Sequence, residues 1–444
     1  MSKQISRRSF IKHVTAAGIA MPLILPRLSF AKSPNGRIQH AVIGATGQGG
    51  YDMAQIFSHG NVDIVALCDI DETNLQKAAA LHPQARLYRD WREMLDVEEK
   101  NIDSVQVSTP DHTHAPATMS AIRIGKHVYC EKPLTHDVYE ARKVTLAARK
   151  KGVATQMGNQ IHSHDFYRTA VQWVREGAIG KVKNWHSWSG AQFTNDTKKR
   201  PAGSDPIPAN VDWNLWLGTA PEREYKAEIY HPFWWRTYRD FGGGAVGDFG
   251  CHIFDPVYSS LDIGNPLSII AESESVSDEV YPGWTFSTYE MEGSAMTVDK
   301  TIMATWRDGG KKPEVSESKH LPADLELPPS GSMLIGEEGT LIIPHVGPPK
   351  LYPLEKFANY PTPTFEPRNH YHQFVEAAMG NGIGGSNFDF AGPMTEAVLL
   401  GNIANRFPGE KLEWNAKRCR FNNHREANKF LRRRYRKGFK VRGL

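Results

Sequence analysis

The sequence predicts an α/β protein whose first half is a doubly wound parallel sheet. A short apolar segment, Ile38–Ile43, is followed directly by a glycine-rich turn at residues 44–50. A second apolar segment, Val62–Cys68, ends at Asp69, about twenty residues after the turn. Strand and helix periodicities then alternate as far as residue 157. This alternation is typical of parallel strands joined by helices.

Length and composition indicate an ordinary globular protein. The chain has 444 residues, of which 40% are apolar and 23% are charged. These values argue against a disordered chain, a coiled coil or a disulfide scaffold. A net charge of +4 is too small to indicate nucleic-acid binding. The four cysteines have no metal-type spacing, so we expect no metal site.

Residues 1–31 have the pattern of a twin-arginine export signal. Arg7 and Arg8 precede an apolar stretch at 16–25, and Ser29 and Ala31 supply the small residues of a cleavage site. The apolar stretch is shorter than the ~20 residues that span a bilayer. We therefore expect a periplasmic mature chain without a transmembrane span.

The glycine turn and the acid at residue 69 predict a Rossmann dinucleotide site. Gly44 permits a tight turn, Gly49 lets the helix approach the strand, and the free N–H groups at the helix start face a pyrophosphate. Asp69 can accept from ribose hydroxyls, and its charge repels a 2′-phosphate, which favours NAD over NADP. The turn residues expected at the pyrophosphate are Gly44, Thr46, Gly47, Gln48 and Gly49, with Thr46 where the pattern usually has glycine.

Two further loops follow predicted strands of this sheet. Residues 110–114 follow one strand, and Glu131, Lys132 and Pro133 follow the next. Ligands of parallel sheets bind at these carboxyl ends. His112 and His114 could form a metal pair, but no third ligand is near in the chain, so we favour a hydrogen-bonding role.

These motifs resemble those of the glucose–fructose oxidoreductase, inositol dehydrogenase and rhizopine-catabolism (Gfo/Idh/MocA) superfamily. Residues 109–114 and 131–134 are similar to the signature of its first domain. Residues 156–160 and 177–182 are similar to the start of its second domain, and 244–255 resembles its Asp-x-x-x-His segment. The twin-arginine pattern and the C-terminal segments are similar to its exported bacterial members.

The resemblance implies the remaining architecture. A Rossmann domain at 32–157 would be followed by a substrate-binding and oligomerisation domain at 158–444. That domain would have a large, mainly antiparallel open sheet, and the protein would be a homodimer or homotetramer. The resemblance also implies that the cofactor contacts Ser108, Thr109, Pro110, His114, Glu131, Lys132 and Asn159.

The catalytic candidates are Lys132, Asp248 and His252. Oxidising a hydroxyl group requires a base, and histidine is the natural one near neutral pH. Four residues separate Asp248 from His252, so on a helix they share a face. The resemblance implies that His252 accepts the proton and that Asp248 orients it or binds substrate. Lys132 would stabilise the developing alkoxide.

Aromatic and charged residues just upstream suit a carbohydrate substrate. Trp235 and Tyr238 can stack on the C–H faces of a sugar, and Arg236 can bind its hydroxyls. Burial of these aromatics as packing anchors is an equally good interpretation.

Export constrains the reaction, because no pool of free NAD exists outside the cytoplasm. We therefore expect NAD to be tightly bound and recycled. The leading interpretation is an oxidoreductase acting on a sugar or glycoside hydroxyl. One alternative is an NAD-dependent glycoside hydrolase, which oxidises, eliminates, adds water and reduces again. Another is a catalytically silent sugar-binding protein on the same fold.

The C-terminal segment, residues 425–444, is strongly basic. Leu431 and Tyr435 are spaced as on one helical face. We expect a solvated amphipathic helix rather than a nucleic-acid-binding tail.

Overall fold

The computed structural model describes residues 36–193, 200 and 202–444, which form two sheets with helices packed against them. The export signal predicted at residues 1–31 lies outside the described residues. No helix in the described part of the chain is long and apolar enough to cross a membrane.

The first sheet has six parallel strands in the order β3-β2-β1-β4-β5-β6. The order reverses beside β1, which makes the sheet doubly wound and places a crevice at the carboxyl ends of β1 and β4. The strand bounds are β1 Ile38–Ile43, β2 Val62–Cys68, β3 Arg86–Tyr88, β4 Ser104–Val107, β5 His127–Glu131 and β6 Thr155–Gly158. The predicted fold class is confirmed for this half.

Five helices alternate with these strands, and their local signals are clear. Asp71 accepts a hydrogen bond from the Thr73 amide at 2.8 Å and begins the second helix. Asp137 and Glu140 form a capping box at the start of the fifth, which ends at Gly152 with φ 66°. The bounds are α1 Gln48–Phe57, α2 Glu72–Leu81, α3 Trp91–Val97, α4 Asp111–Arg123 and α5 Val138–Lys151.

The second sheet has nine strands in the order β13-β12-β11-β7-β10-β9-β8-β14-β15. Among the described strand pairs of this second sheet only β7 with β10 is parallel, which confirms a mainly antiparallel sheet. The bounds are β7 Val182–Trp188, β8 Pro266–Ser273, β9 Thr285–Glu292, β10 Thr301–Arg307, β11 Gly331–Gly336, β12 Thr340–Pro344, β13 Lys350–Tyr352, β14 Leu412–Asn415 and β15 Arg420–Phe421.

Six further α-helices follow β6 in the described part of the chain. Helix α8 packs on one face of the second sheet, where Phe254 contacts the buried rings of Trp185 and Trp306. Helix α10 instead packs on the first sheet, where Phe374 joins the core around Val42. The bounds are α6 Asp165–Arg175, α7 Trp213–Leu217, α8 Gly244–Leu261, α9 Leu354–Phe357, α10 His370–Met379 and α11 Phe388–Ala404.

The basic C-terminal segment is not the predicted amphipathic helix. It contains one short 3-10 helix, Ala427–Phe430, and is otherwise irregular. Arg433 donates to Asp137 and Glu140, and the Tyr435 hydroxyl donates to Glu140 at 2.5 Å. These partners lie in the first domain, so the segment is a strap that joins the two halves of the chain. The hydrogen bonds to the buried carboxylates of Asp137 and Glu140 stabilise this irregular conformation more than the backbone bonds of a solvated helix would.

Candidate active site

The glycine turn leaves no room for side chains at two positions. Gly44 has φ +84°, and a Cβ there would lie 2.3 Å from the Ser108 carbonyl oxygen. A Cβ at Gly49 would lie 2.0 Å from the Gly44 carbonyl oxygen. Thr46 and Gly47 both line the cleft beside this turn, and Gly47 is exposed. The turn therefore fits a pyrophosphate at the start of α1.

We expect Gly44→Ala to destabilise the protein and to weaken NAD binding at least tenfold. Gly60→Ala is a matched control, since Gly60 also has φ +84° but a Cβ there meets nothing within 4 Å. Gly60→Ala should cost about 1–2 kcal/mol from backbone strain alone. Urea unfolding and NAD titration calorimetry measure both effects. Equal stability and equal NAD affinity of the two variants would contradict the steric argument.

Asp69 connects the glycine turn to the end of β2 through hydrogen bonds. Its carboxylate accepts from the Ala45 amide and from the Asp71 amide, both at 3.0 Å. Burial raises the pKa of this carboxyl, and the two amides oppose that effect. Asp69 also lines the cleft at the turn. It is thus in place to meet an adenosine ribose.

One continuous cleft of about 450 Å³ joins the glycine turn to Lys132 and His252, while Asp248, the third catalytic candidate, is not among the described residues that line it. This volume is in the range of small-molecule sites. The predicted site residues that line it are Gly44, Thr46, Gly47, Gln48, Gly49, Asp69, Ser108, Thr109, Pro110, Glu131, Lys132, Trp235, Arg236 and His252.

An ion pair lies at the inner end of this cleft. Lys132, just after β5, places its Nζ 2.8 Å from Asp248 Oδ1 and 2.9 Å from the Asp248 carbonyl oxygen on α8. Arg236 Nε lies 3.3 Å from the same Oδ1. Burial alone would lower the pKa of Lys132, but the carboxylates of Asp248 and Glu131 outweigh it and raise that pKa. Burial would raise the pKa of Asp248, but Lys132 and Arg236 outweigh it, so both groups stay charged.

His252 lies one turn after Asp248 on α8 but does not bond to it. The Asp248 carboxylate is taken up by Lys132 and Arg236, and His252 Nδ1 has no hydrogen-bond partner among the described residues. In this structure Asp248 therefore does not orient the imidazole through a hydrogen bond, and its other expected role, substrate binding, stays a prediction. Instead, the His345 ring lies 5.2 Å from that of His252, centroid to centroid. Burial, with the charge of Lys132, holds the pKa of His252 well below its usual value, so the ring is neutral.

Three predicted contact residues do not line the cleft. His114 spans two loops, with Nδ1 2.7 Å from the Pro133 carbonyl oxygen and Nε2 2.8 Å from that of Thr109. Asn159 donates from Nδ2 to Asp255. Tyr238 is buried in an aromatic cluster, edge-on to Tyr230. His114 and Tyr238 are occupied by internal hydrogen bonds or packing, whereas Asn159 Oδ1 is buried without a hydrogen-bond partner among the described residues. Contact of these three residues with cofactor or substrate stays a prediction.

A buried carboxyl next to Glu131 was missed by the sequence analysis. Asp52 on α1 accepts from the Ser108 hydroxyl at 2.7 Å and the Tyr371 hydroxyl at 2.9 Å. Burial raises its pKa to about 6, although these hydrogen bonds oppose the rise. Asp52 occupies the buried face of α1 together with Gly49, Met53 and Ile56. An acid within an i, i+3, i+4, i+7 apolar pattern was the signal that could have revealed it.

His345 was also missed, because it follows β12, far along the chain from His252. Its Nδ1 lies 3.2 Å from the Tyr167 hydroxyl, and its ring is edge-on to Phe249. No sequence motif marks this position. Within the residues described, no group of histidine, cysteine and acidic side chains could hold a metal ion.

Comparisons with known proteins bear on both domains. Residues 38–159 match an oxidoreductase family described as having an NAD-binding Rossmann fold, and residues 176–301 match the C-terminal α/β domain of that family. Together the two matches cover more than half of the chain.

Two curated relatives match part of the chain. A 1,5-anhydro-D-fructose reductase from Ensifer adhaerens is 38% identical over 180 residues, 40% of this chain and 43% of the relative. A glycosyl hydrolase family 109 protein from Stenotrophomonas maltophilia is 26% identical over 216 residues, 45% of this chain and 46% of the relative. The chain thus spans less than half the length of either.

A solved structure is similar across both domains. The WlbA dehydrogenase from Bordetella pertussis, solved with NADH and UDP-GlcNAcA, aligns with a TM-score of 0.60 at 15% identity. The alignment covers 85% of this chain and 99% of that one, and it shows a common fold. The two domain matches, the fold and the cleft agree: this chain belongs to the Gfo/Idh/MocA oxidoreductase family, with an NAD-binding Rossmann domain followed by the family's C-terminal α/β domain.

Proposed function

We propose that this protein is an NAD-dependent oxidoreductase that acts on a hydroxyl group of a sugar or glycoside. One observation carries the proposal: a single cleft is lined both by the glycine turn with Asp69 and by Lys132, Arg236 and His252. A dinucleotide and a small polar substrate would therefore share one cavity. The relative named 1,5-anhydro-D-fructose reductase supports a carbohydrate substrate.

The residues present fit NAD. The turn from Gly44 to Gly49 would hold the pyrophosphate, Asp69 the adenosine ribose, and Glu131 with Lys132 the nicotinamide end. Bound NAD supplies a hydride acceptor for the substrate carbon.

The chain's own groups would manage the proton and the charge. His252 is neutral, so its imidazole is in the form that accepts the hydroxyl proton. Lys132 stays charged and would stabilise the oxygen as it becomes an alkoxide. Asp248 holds Lys132 in place at 2.8 Å. Burying the charged Lys132–Asp248 pair beside His252 lowers the stability of the fold, and a protein that only binds sugar does not need this arrangement. The arrangement therefore favours an enzyme over a catalytically silent homologue.

Arg236 and Trp235 would bind the sugar. The Arg236 guanidinium lies 4.2 Å from the centre of the Trp235 ring, and both side chains line the cleft. A planar guanidinium offers paired donors to vicinal hydroxyls, and an indole face suits C–H surfaces.

Export through the twin-arginine route is part of the proposal. Residues 1–31 would direct a folded protein to the periplasm, and NAD would travel with it, tightly bound and recycled in place. A homo-oligomer is proposed on the resemblance alone.

The test uses protein isolated without added nucleotide. Denaturing it should release NAD, identified by mass and absorbance, in a near one-to-one ratio with protein. Mixing the native protein with a panel of sugars and glycosides should produce the near-ultraviolet absorbance of NADH. Protein that releases no nucleotide and does not bind added NAD would contradict the proposal.

Asp69→Asn should shift cofactor preference. The substitution removes the charge opposed to a 2′-phosphate, so the ratio of NAD affinity to NADP affinity should fall at least tenfold. It also replaces one of the two oxygens that accept from the Ala45 and Asp71 amides, so the ratio is compared rather than either affinity alone. Calorimetric titration of both cofactors measures this ratio. Asp71→Asn, at the cap of α2, is the control and should leave the ratio unchanged. An unaltered ratio in Asp69→Asn would place the adenosine ribose elsewhere.

A glycoside hydrolase that uses NAD is the second candidate, favoured by the similarity to a glycosyl hydrolase family 109 protein. Aryl glycosides incubated with the protein as isolated, without added NAD, separate the two. Release of many phenols per protein indicates hydrolysis. Accumulation of NADH without phenol indicates oxidation.

A further inference from the structure

A second cavity, about 440 Å³ in volume, lies beside the backbone that leads into α8. Asn402 lines it and donates from Nδ2 to the Gly243 carbonyl oxygen at 2.7 Å. The cavity shares no lining residue with the active-site cleft. It is therefore a separate site that the proposed function does not use.

The lining of this cavity is rich in cations. Five basic side chains from three parts of the chain line it: Arg239, Arg406, Lys429, Arg432 and Arg433. Its three carboxylates are each already paired with a cation: Asp137 with Arg433, Asp278 with Arg406, and Asp240 with Arg223, which lies outside the lining. These three carboxylates therefore do not neutralise all five basic side chains of the cavity lining.

Arg239 is the group that most needs a counter-charge. Its side chain is almost fully buried, with 5% of the residue exposed. The guanidinium donates to the Val280 carbonyl oxygen at 3.1 Å, to the Asn402 carbonyl oxygen at 3.4 Å and to Asn405 Oδ1 at 3.0 Å, and it stacks on Tyr281. No carboxylate of the described chain lies within 4.0 Å of it. Burial, with the charge of Arg406, lowers its pKa to about 9.

A buried cation without an ionic partner is costly, because neutral carbonyl groups replace only part of its hydration. An anion between two guanidinium groups removes that cost, since each offers paired N–H donors to an oxyanion. Arg432 is exposed at the same cavity and adds to the positive field, whereas Lys429 is paired with Glu426 at 2.5 Å.

We propose that this cavity binds an oxyanion, namely a phosphate, sulfate or carboxylate group, at Arg239 and Arg406. The volume exceeds that of inorganic phosphate, so the group can belong to a small organic molecule. Inorganic phosphate, sulfate and citrate are the probes that separate these sources.

The experiment titrates each probe into the full mature protein at constant ionic strength, set with sodium chloride, by calorimetry and thermal unfolding. We expect at least one probe to raise Tm saturably and to bind with a measurable Kd. Arg406→Gln should weaken that binding about tenfold, and Arg432→Gln several-fold, because each removes a charge-assisted donor. Arg432 is exposed, so its variant tests the site even if Arg406→Gln folds poorly.

Arg175→Gln is the matched control. Arg175 is a surface residue paired with Asp262 at 2.8 Å, outside the cavity lining, and its variant should bind the probe as the wild type does. The proposal is overturned if phosphate, sulfate and citrate raise Tm no more than sodium chloride does at the same ionic strength and show no measurable binding. It is equally overturned if Arg432→Gln and Arg406→Gln keep wild-type affinity, or if Arg175→Gln loses as much.

Discussion

Lys132→Ala and His252→Ala should each reduce turnover by about 10²–10⁴-fold while NAD remains bound. Lys132 supplies the positive charge nearest to the proposed alkoxide, and its Nζ is held by both the carboxylate and the carbonyl of Asp248. His252 is the neutral imidazole at the same end of the cleft. The glycine turn and Asp69, which would hold the pyrophosphate and the adenosine ribose, are unaltered in both variants, so NAD should stay bound and the loss should appear mainly in kcat.

The measurement pairs steady-state kinetics on a reactive sugar with calorimetric titration of NAD. Lys126→Ala is the control, because Lys126 donates to the Ile102 carbonyl oxygen and lies outside the cleft. Its turnover should match the wild type. Wild-type turnover in both Lys132→Ala and His252→Ala would show that the reaction takes place elsewhere.

Arg433→Ala should destabilise the protein by about 3 kcal/mol or more at neutral pH, because removing one partner leaves buried charges unpaired. Arg433 lies 3.0 Å from Glu140 and 3.3 Å from Asp137, and both carboxylates are nearly inaccessible to solvent. Without the guanidinium, the two carboxylates would repel each other at the start of α5. The free energy of unfolding from urea titration measures the loss.

Arg434→Ala is the neighbouring control, since Arg434 is exposed and should change stability by no more than about 0.5 kcal/mol. The deficit of Arg433→Ala should shrink as the pH falls. In that variant the folded-state pKa values of Asp137 and Glu140 would exceed their unfolded values, so protonation favours the folded state. Equal stabilities of the two variants at neutral pH would contradict the role of the strap.

The first sheet and its glycine turn could be predicted because their signals are local. Strand, turn, helix and acid lie within about thirty residues of one another, and the positions of Gly44, Gly49 and Asp69 follow from their places in that unit. Lys132 and His252 could be identified as catalytic candidates from sequence motifs. Their approach to a common cleft depends on how β5 and α8 meet, which no local pattern encodes.

The interactions that complete the site join distant parts of the chain. Asp248 lies 116 positions from Lys132 in the sequence. Its carboxylate nevertheless pairs with that lysine and not with His252, its neighbour on the helix. A cation within bonding distance competes better for a buried carboxylate than an imidazole whose pKa burial has lowered. The spacing of Asp248 and His252 on a helix could not by itself predict that Asp248 pairs with Lys132.

The sequence by itself determined the α/β class, the dinucleotide turn and the identity of the catalytic candidates, because each depends on a short run of residues with defined backbone or chemical demands. Only the tertiary structure decided that Asp52 lies beside Glu131, that Arg433 connects the tail to α5, and that Arg239 is buried with no carboxylate partner in the part of the chain that is described. These outcomes follow from long-range packing. Burial and charge pairing are properties of a residue's neighbours in space, and the chain order does not specify those neighbours.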